Sequence, residues 1–286
     1  MPSLIDIRRR IRSVRNMQQI TRAMKMVSAA KLRRAQDRVI GSRPYGGMLR
    51  TMLSHVAAAV VRDERIAADP LLAERPEQRI ELVLITADKG LAGPFNANAI
   101  RGAQRFIEEH PSARIELELI GRKGRDFFRK RKAAIVGEAV NQPAAPEYRQ
   151  AVDIANHLTE RFRREEIDAV YLLYNEFRSV MSQKVKVTRV LPVEMPAETE
   201  PMDYIFEQPP EQLLAALLPR YVEIEVFRAL LESTAAEHAA RMTAMESATS
   251  NAADMLDRLT LHMNRVRQAS ITKEIIEVVS GAAAAE

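Results

Sequence analysis

The 286-residue sequence has no cysteine. A disulfide framework, a thiolate metal site and a thiol redox switch are therefore excluded, and the composition suits a reducing compartment. No run of about 18 uncharged apolar residues occurs, so no segment is expected to span a bilayer. The N-terminus lacks the apolar core of a secretory signal. Residues 3–40 are Arg-rich and acid-poor in the manner of an organelle transit peptide, yet they hold few serines and flow into a long helical pattern. Glycine and proline are missing from Ser3 to Ile40 and again from Tyr221 to Ser280. Two long uninterrupted helices are the direct expectation.

Apolar residues recur at Leu4, Ile7, Ile11, Val14, Met17, Ile20, Met24 and Val27, in helical steps of three and four. Gly41, Pro44 and Gly47 predict a kink near 41–47, with helix resuming to about residue 60. At the other end, the stretch from Tyr221 allows a rod on the order of 90 Å. Its heptad frame reads Met245, Ala248, Ala252, Met255, Leu259, His262, Val266, Ala269, Lys273, Ile276 and Ser280, a seam thin in large apolar residues. Gly281 is the expected C-cap.

The middle alternates strands with helices. IELVLIT (80–86), 115–120, 134–140 and 169–177 read as strands, separated by helical segments, and 183–193 reads as an antiparallel edge strand. The expected organisation is an N-terminal coiled-coil helix (1–60), a Rossmann-like α/β domain (78–195) and a C-terminal coiled-coil helix (210–286). Two helices attached to one domain, one entering and one leaving, must pair antiparallel if they pair.

The chemistry-bearing features are few. Eleven basic residues from Arg8 to Arg38 face only Asp6 and Asp37, while residues 221–280 carry nine acidic and six basic side chains. Such a basic helix fits a solvated face, a nucleic-acid contact or an acidic protein partner, and it lacks the interleaved aromatics of a single-strand binder. The loop Ala87–Asn96 follows a strand end, where ligands of parallel sheets bind. It matches neither phosphate-binding glycine motif, and Pro94 removes an amide. His55, His110, His157, His238 and His262 show no metal-ligand spacing, and no nucleophile elbow is present. Neither a cofactor nor a metal is expected.

The segments IRRRIRSVRNMQQITRAMKMVSAAKLRRAQ (Ile7–Gln36), TADKGLAGPFN (Thr86–Asn96), EHAARMTAMESATSNA and NRVRQASITKEIIEVVSGA (Asn264–Ala282) resemble the gamma subunit of F-type ATP synthase, essentially over the whole chain. Ala92, Pro94 and Met263 depart from that pattern. The resemblance implies a non-catalytic rotor shaft, with alpha and beta subunits around the helix pair and epsilon and the membrane c-ring at the foot. It implies peripheral attachment at the cytoplasmic face of a bacterial inner membrane. Carried over by position, Met24, Lys25, Lys89, Arg241, Gln268 and Thr272 would contact the beta subunit. Tyr204, Phe206 and Glu207 would contact the c-ring and epsilon. A coiled-coil nucleic-acid binder and a nucleotide-binding α/β enzyme are the competing readings.

Overall fold

The computed structural model describes residues 4–60, 69–141, 143, 145–194 and 208–283. Two helices, α1 (Leu4–Val60) and α5 (Pro210–Ala283), enclose in sequence the elements β1 (Arg79–Ile85), α2 (Phe95–Glu109), β2 (Arg114–Ile120), α3 (Arg122–Arg129), β3 (Ile135–Ala139), α4 (Tyr148–Arg163), β4 (Ala169–Phe177) and β5 (Gln183–Leu191). The chain forms two compact units, Met1–Ser28 with Met242–Glu286, and Ala29–Arg241.

In the larger unit the five strands are ordered β3-β2-β1-β4-β5, parallel except for β5, which pairs antiparallel with β4 at the edge. This is the expected doubly wound arrangement. Strand alternation sorts the side chains onto two faces. Ile80, Leu82 and Leu84 pack with Ala99, Ala103 and Phe106 of α2 and Phe128 of α3. Val83, Ile85, Val170, Leu172 and Tyr174 face α4, together with Leu49, Leu53 and Val56 of α1 and Leu214, Leu218, Val222 and Val226 of α5. Each such fully buried side chain contributes roughly 1.5–3 kcal/mol. Asp168 locks the two central strands at their start, its carboxylate accepting from the Arg79 backbone amide at 2.8 Å and from the Arg79 guanidinium at 2.7 Å. That bond holds the Asp168 carboxyl below its usual pKa.

α1 runs through Gly41, Pro44 and Gly47 as one helix to Val60. α5 begins at Pro210 and contains Pro219. Proline leaves the carbonyl four residues earlier without its helical donor. Those carbonyls belong to Ile40 and Ala215, both exposed residues. One helix end differs from the sequence expectation: α5 continues past Gly281 to Ala283, so Gly281 does not cap it.

In the smaller unit, α1 and α5 segments run antiparallel: the Thr21 and Thr249 hydroxyls lie 2.8 Å apart, and Lys25 pairs with Glu246. The pair is a coiled coil, but its frame is not set by the apolar residues alone. Covered positions on α1 are Leu4, Ile7, Ile11, Val14, Gln18, Thr21, Met24, Lys25 and Ser28, close to an alternation of three- and four-residue steps. Met17, Ile20 and Val27 are 57%, 58% and 56% exposed. On α5 the covered set from Met245 onward is Met245, Ala248, Thr249, Ala252, Ala253, Leu256, Leu259, Met263, Asn264, Val266 and Ser270. Met255, His262 and Ala269, expected in the seam, are exposed, and so are all residues from Ile271 to Ser280. Apolar residues spaced nearer the natural helical period drift off a seam that repeats every 3.5 residues or so.

Candidate functional site

Of the positions singled out in the sequence, the larger unit brings Lys89 and Arg241 together. The loop between β1 and α2 is built from its own polar side chains. Thr86 donates its hydroxyl to the Ile120 carbonyl at 3.0 Å and accepts from the Gly124 amide at 2.9 Å. Asp88 accepts from the Arg122 amide at 2.9 Å, and the Lys123 amide donates to the Ala87 carbonyl at 3.1 Å. Asn96 accepts from the Ala87 amide at 2.9 Å. The first-turn amides of α3 are thereby committed to this loop. They are therefore not available to an anion at the β2–α3 turn.

Gly121 joins β2 to α3 with φ +93, and a Cβ there would overlap the Thr86 carbonyl. Only glycine fits this crossing. Farther along the loop, Ala87, Ala92 and Phe95 pack on Ala236 and Ala240 of α5. Alanine at 92, where the loop departs from the usual pattern, suits that small-residue contact.

Arg241 is 9% exposed. Its guanidinium donates to the Gly90 carbonyl at 3.2 Å and pairs with Glu237 at 2.7 Å. It thus clamps the loop that carries the exposed Lys89. A cavity of about 300 Å³ opens beside this clamp, lined by Lys31, Thr86, Lys89, Glu237, His238 and Arg241 among others. His238 is buried, and burial, then the Arg241 and Lys31 charges, depress its pKa to about 4. It is neutral at pH 7.

A depressed base contributes stability that is present above its unfolded pKa, about 6.5, and lost as pH falls through 4. The full effect is on the order of 3 kcal/mol. Urea melts of His238→Gln from pH 7 to 4 should therefore show a shallower loss of stability than those of the parent. Parallel curves would show that His238 titrates normally.

In the smaller unit, Met24 and Lys25 are half-covered on α1, Lys25 being held by Glu246. Gln268 and Thr272 are exposed one turn apart on α5, the Thr272 hydroxyl donating to the Gln268 carbonyl at 2.9 Å. The Gln268 side chain faces outward from the seam. Around it Ile271, Ile275, Ile276, Val278 and Val279 are 49–73% exposed. This cluster escaped the heptad reading, which had assigned Ile276 to the seam. Ten of the eleven basic residues from Arg8 to Arg38 are likewise exposed. Tyr204, Phe206 and Glu207 lie outside the described residues. Among the described residues no helix is long and apolar enough to cross a membrane.

A family model described as ATP synthase matches residues 3–285. The ATP synthase gamma chain of Solibacter usitatus (strain Ellin6076) is 68% identical over 286 residues, covering 100% of both chains. The chain belongs to the ATP synthase gamma chain family. The gamma chain of Desulfitobacterium hafniense (strain DSM 10664 / DCB-2) is 49% identical, again over 100% of both chains. Among solved structures, a chain of the Tetrahymena thermophila mitochondrial ATP synthase central stalk and c-ring superposes with a TM-score of 0.61 at 27% identity, covering 80% of this chain and 99% of that one. A chain from the Euglena gracilis mitochondrial ATP synthase, in a structure titled OSCP/F1/c-ring, rotational state 3, gives 0.69 at 19% identity over 98% and 94%, a likeness of fold. The same sheet and helix arrangement thus recurs at low sequence identity.

Proposed function

We propose that this chain is the central-stalk rotor subunit of an F-type ATP synthase, non-catalytic in itself, transmitting rotation of the membrane c-ring to the alpha and beta hexamer and so coupling proton translocation to ATP synthesis or hydrolysis. The observation that carries this reading is the cluster of Ile271, Ile275, Ile276, Val278 and Val279 on the last turns of α5, all exposed. At about 100° per residue these side chains cover roughly half of the helix circumference, with Lys273, Glu274 and Glu277 on the other half. A contiguous exposed apolar face of this kind marks a partner surface, and a helix turning inside a ring of subunits presents its one-sided face to each of them in succession. Rotation then requires that the shaft contact the surrounding subunits differently at each angle, because coupling is a difference in binding free energy between states.

Gln268 and Thr272, with outward-facing polar atoms beside the apolar cluster, serve as hydrogen-bonding contacts to the beta subunit, and the exposed Lys89 as a charged one. Met24 and Lys25 supply contacts on α1, where the basic stripe meets acidic surfaces of the surrounding hexamer rather than nucleic acid. Arg241 acts through the loop it clamps. Tyr204, Phe206 and Glu207 supply the foot contacts to epsilon and the c-ring, through which the chain attaches peripherally to the cytoplasmic face of the bacterial inner membrane.

Gln268→Ala should lower ATP turnover of the assembled complex about fivefold to tenfold, the equivalent of one lost hydrogen bond. The stability of the free subunit should change by less than about 0.5 kcal/mol, because the residue is exposed. Unaltered turnover would remove Gln268 from the contact set. Failure of the tagged chain to co-purify with alpha, beta and epsilon would remove the rotor assignment itself. Sequence-preferring, salt-sensitive binding to duplex DNA would then support the nucleic-acid alternative.

A further inference from the structure

Two strands of the sheet carry an unusual pattern. IELVLI in β1 and IELELI in β2 place Glu81, Glu116 and Glu118 on the face that packs against α4, among residues that are otherwise apolar. Glu81 is fully buried and Glu118 is 6% exposed. From α4, Arg161 reaches down with all of its guanidinium committed: Nη1 donates to Glu81 Oε2 at 2.6 Å, Nη2 to Glu116 Oε2 at 2.7 Å and Nε to Glu166 Oε2 at 3.0 Å. One cation thus serves three carboxylates, and Glu118 is left outside the set.

Burying a carboxylate without a partner costs several kcal/mol, so each such oxygen asks for an occupant. Two oxygens in this cluster, Glu81 Oε1 and Glu118 Oε2, are buried and make no hydrogen bond among the described residues. His157 stands one helical turn before Arg161, with Nδ1 3.6 Å from Glu118 Oε2 and its ring partly open to solvent. One ligand atom from each of Glu81, Glu118 and His157 falls within 4.8 Å of the others. Gly137 of β3 makes room for this arrangement, since a Cβ there would come within 3.1 Å of the Glu118 side chain.

The geometry points to a divalent transition-metal site of the zinc class, formed by carboxylate oxygens of Glu81 and Glu118 and a ring nitrogen of His157. Ligands about 2.0–2.1 Å from a tetrahedral ion stand roughly 3.3 Å apart. The His157 to Glu118 separation of 3.6 Å is already close to this. A mixed nitrogen and oxygen donor set suits zinc, cobalt or manganese, whereas magnesium and calcium favour oxygen alone. The half-exposed imidazole gives the ion a path from solvent and leaves a coordination position for water. Arg161 then holds Glu81 in place by donating to its other oxygen. Histidine spacing along the chain carries no trace of such a site, because its three ligands come from β1, β2 and α4.

The test is a titration of the full-length chain, stripped with chelator, with Zn²⁺ by calorimetry and with Co²⁺ by visible absorption. One ion per chain is expected, with cobalt absorption in the range of four- or five-coordinate sites. His157→Ala and Glu118→Gln should each weaken binding at least about tenfold. His157 is surface-accessible and Gln is isosteric with Glu, so both variants should fold, as an unchanged circular dichroism spectrum would verify. His262→Ala, on an exposed face of α5, should leave binding intact. No saturable binding of either ion to the parent chain would overturn the proposal, leaving a proton as the occupant of the carboxylate pair. Binding that persists unweakened in His157→Ala would overturn it equally, assigning the ion to another histidine.

Discussion

Gly121→Ala should destabilise the chain by more than about 4 kcal/mol, enough to unfold or severely deplete a typical domain. Two effects add. The residue sits at φ +93, outside the range that side-chain-bearing residues adopt readily, and the new methyl would overlap the Thr86 carbonyl and stand 2.6 Å from its carbon. Backbone, unlike the end of a flexible side chain, has nowhere to move here. The Thr86 side chain is itself pinned between the Ile120 carbonyl and the Gly124 amide. Relief would require β1 and β2 to separate at their C-terminal ends, where the Thr86 amide still bonds the Ile120 carbonyl at 2.8 Å. Urea unfolding, or the soluble yield if the variant cannot be purified, measures the effect. A loss below about 1 kcal/mol would mean that the crossing relaxes freely, and that glycine is present there for some other reason.

Arg241→Glu is expected to cost about 3–5 kcal/mol, the range for breaking a largely buried charge pair. The substitution removes the bond to the Gly90 carbonyl and sets a second carboxylate beside Glu237. Arg241→Lys keeps the charge but loses the fork that reaches both partners, and should fall between the two, at about 1–2 kcal/mol. Urea melts of the three chains give the ranking. If the glutamate variant stayed within about 1 kcal/mol of the parent, the clamp would contribute nothing to folding. The consequence for function is direct. A fall in ATP turnover on changing Arg241 mixes loop disorder with any lost partner contact, so Gln268, which supports no other element, gives the cleaner reading of the shaft surface.

The sheet was legible because runs such as IELVLI and the terminal alternation at Val185 and Val187 satisfy strand periodicity on their own. The seam was not, for a physical reason. At positions 17, 20 and 27 the sequence offers Met, Ile and Val, while the true seam takes Gln18, Thr21 and Ser28. Hydrophobicity alone does not separate a residue that faces the paired helix from one that faces outward, as these three do. The prolines of α5 are accommodated locally: Pro210 sits in the first turn, where no amide is needed, and the carbonyl that Pro219 leaves without a donor belongs to the exposed Ala215. Arg241 was singled out only through the family resemblance, and its Gly90 partner lies 151 positions away, beyond what spacing can reveal.

The small polar patch in the coiled coil has a consequence for how the two helices find their axial offset. A seam of like residues looks the same after every slide of seven positions, so it fixes which faces meet and leaves the offset degenerate. At Thr21 and Lys25 the match is particular. Sliding one heptad would set the Thr21 hydroxyl against Met242 or Leu256 and the Lys25 ammonium against Ala239 or Ala253. Each bond is worth little, about 1 kcal/mol or less. Together they work as the detent on a slide rule: too weak to carry the load, and sufficient to say where the scale reads zero.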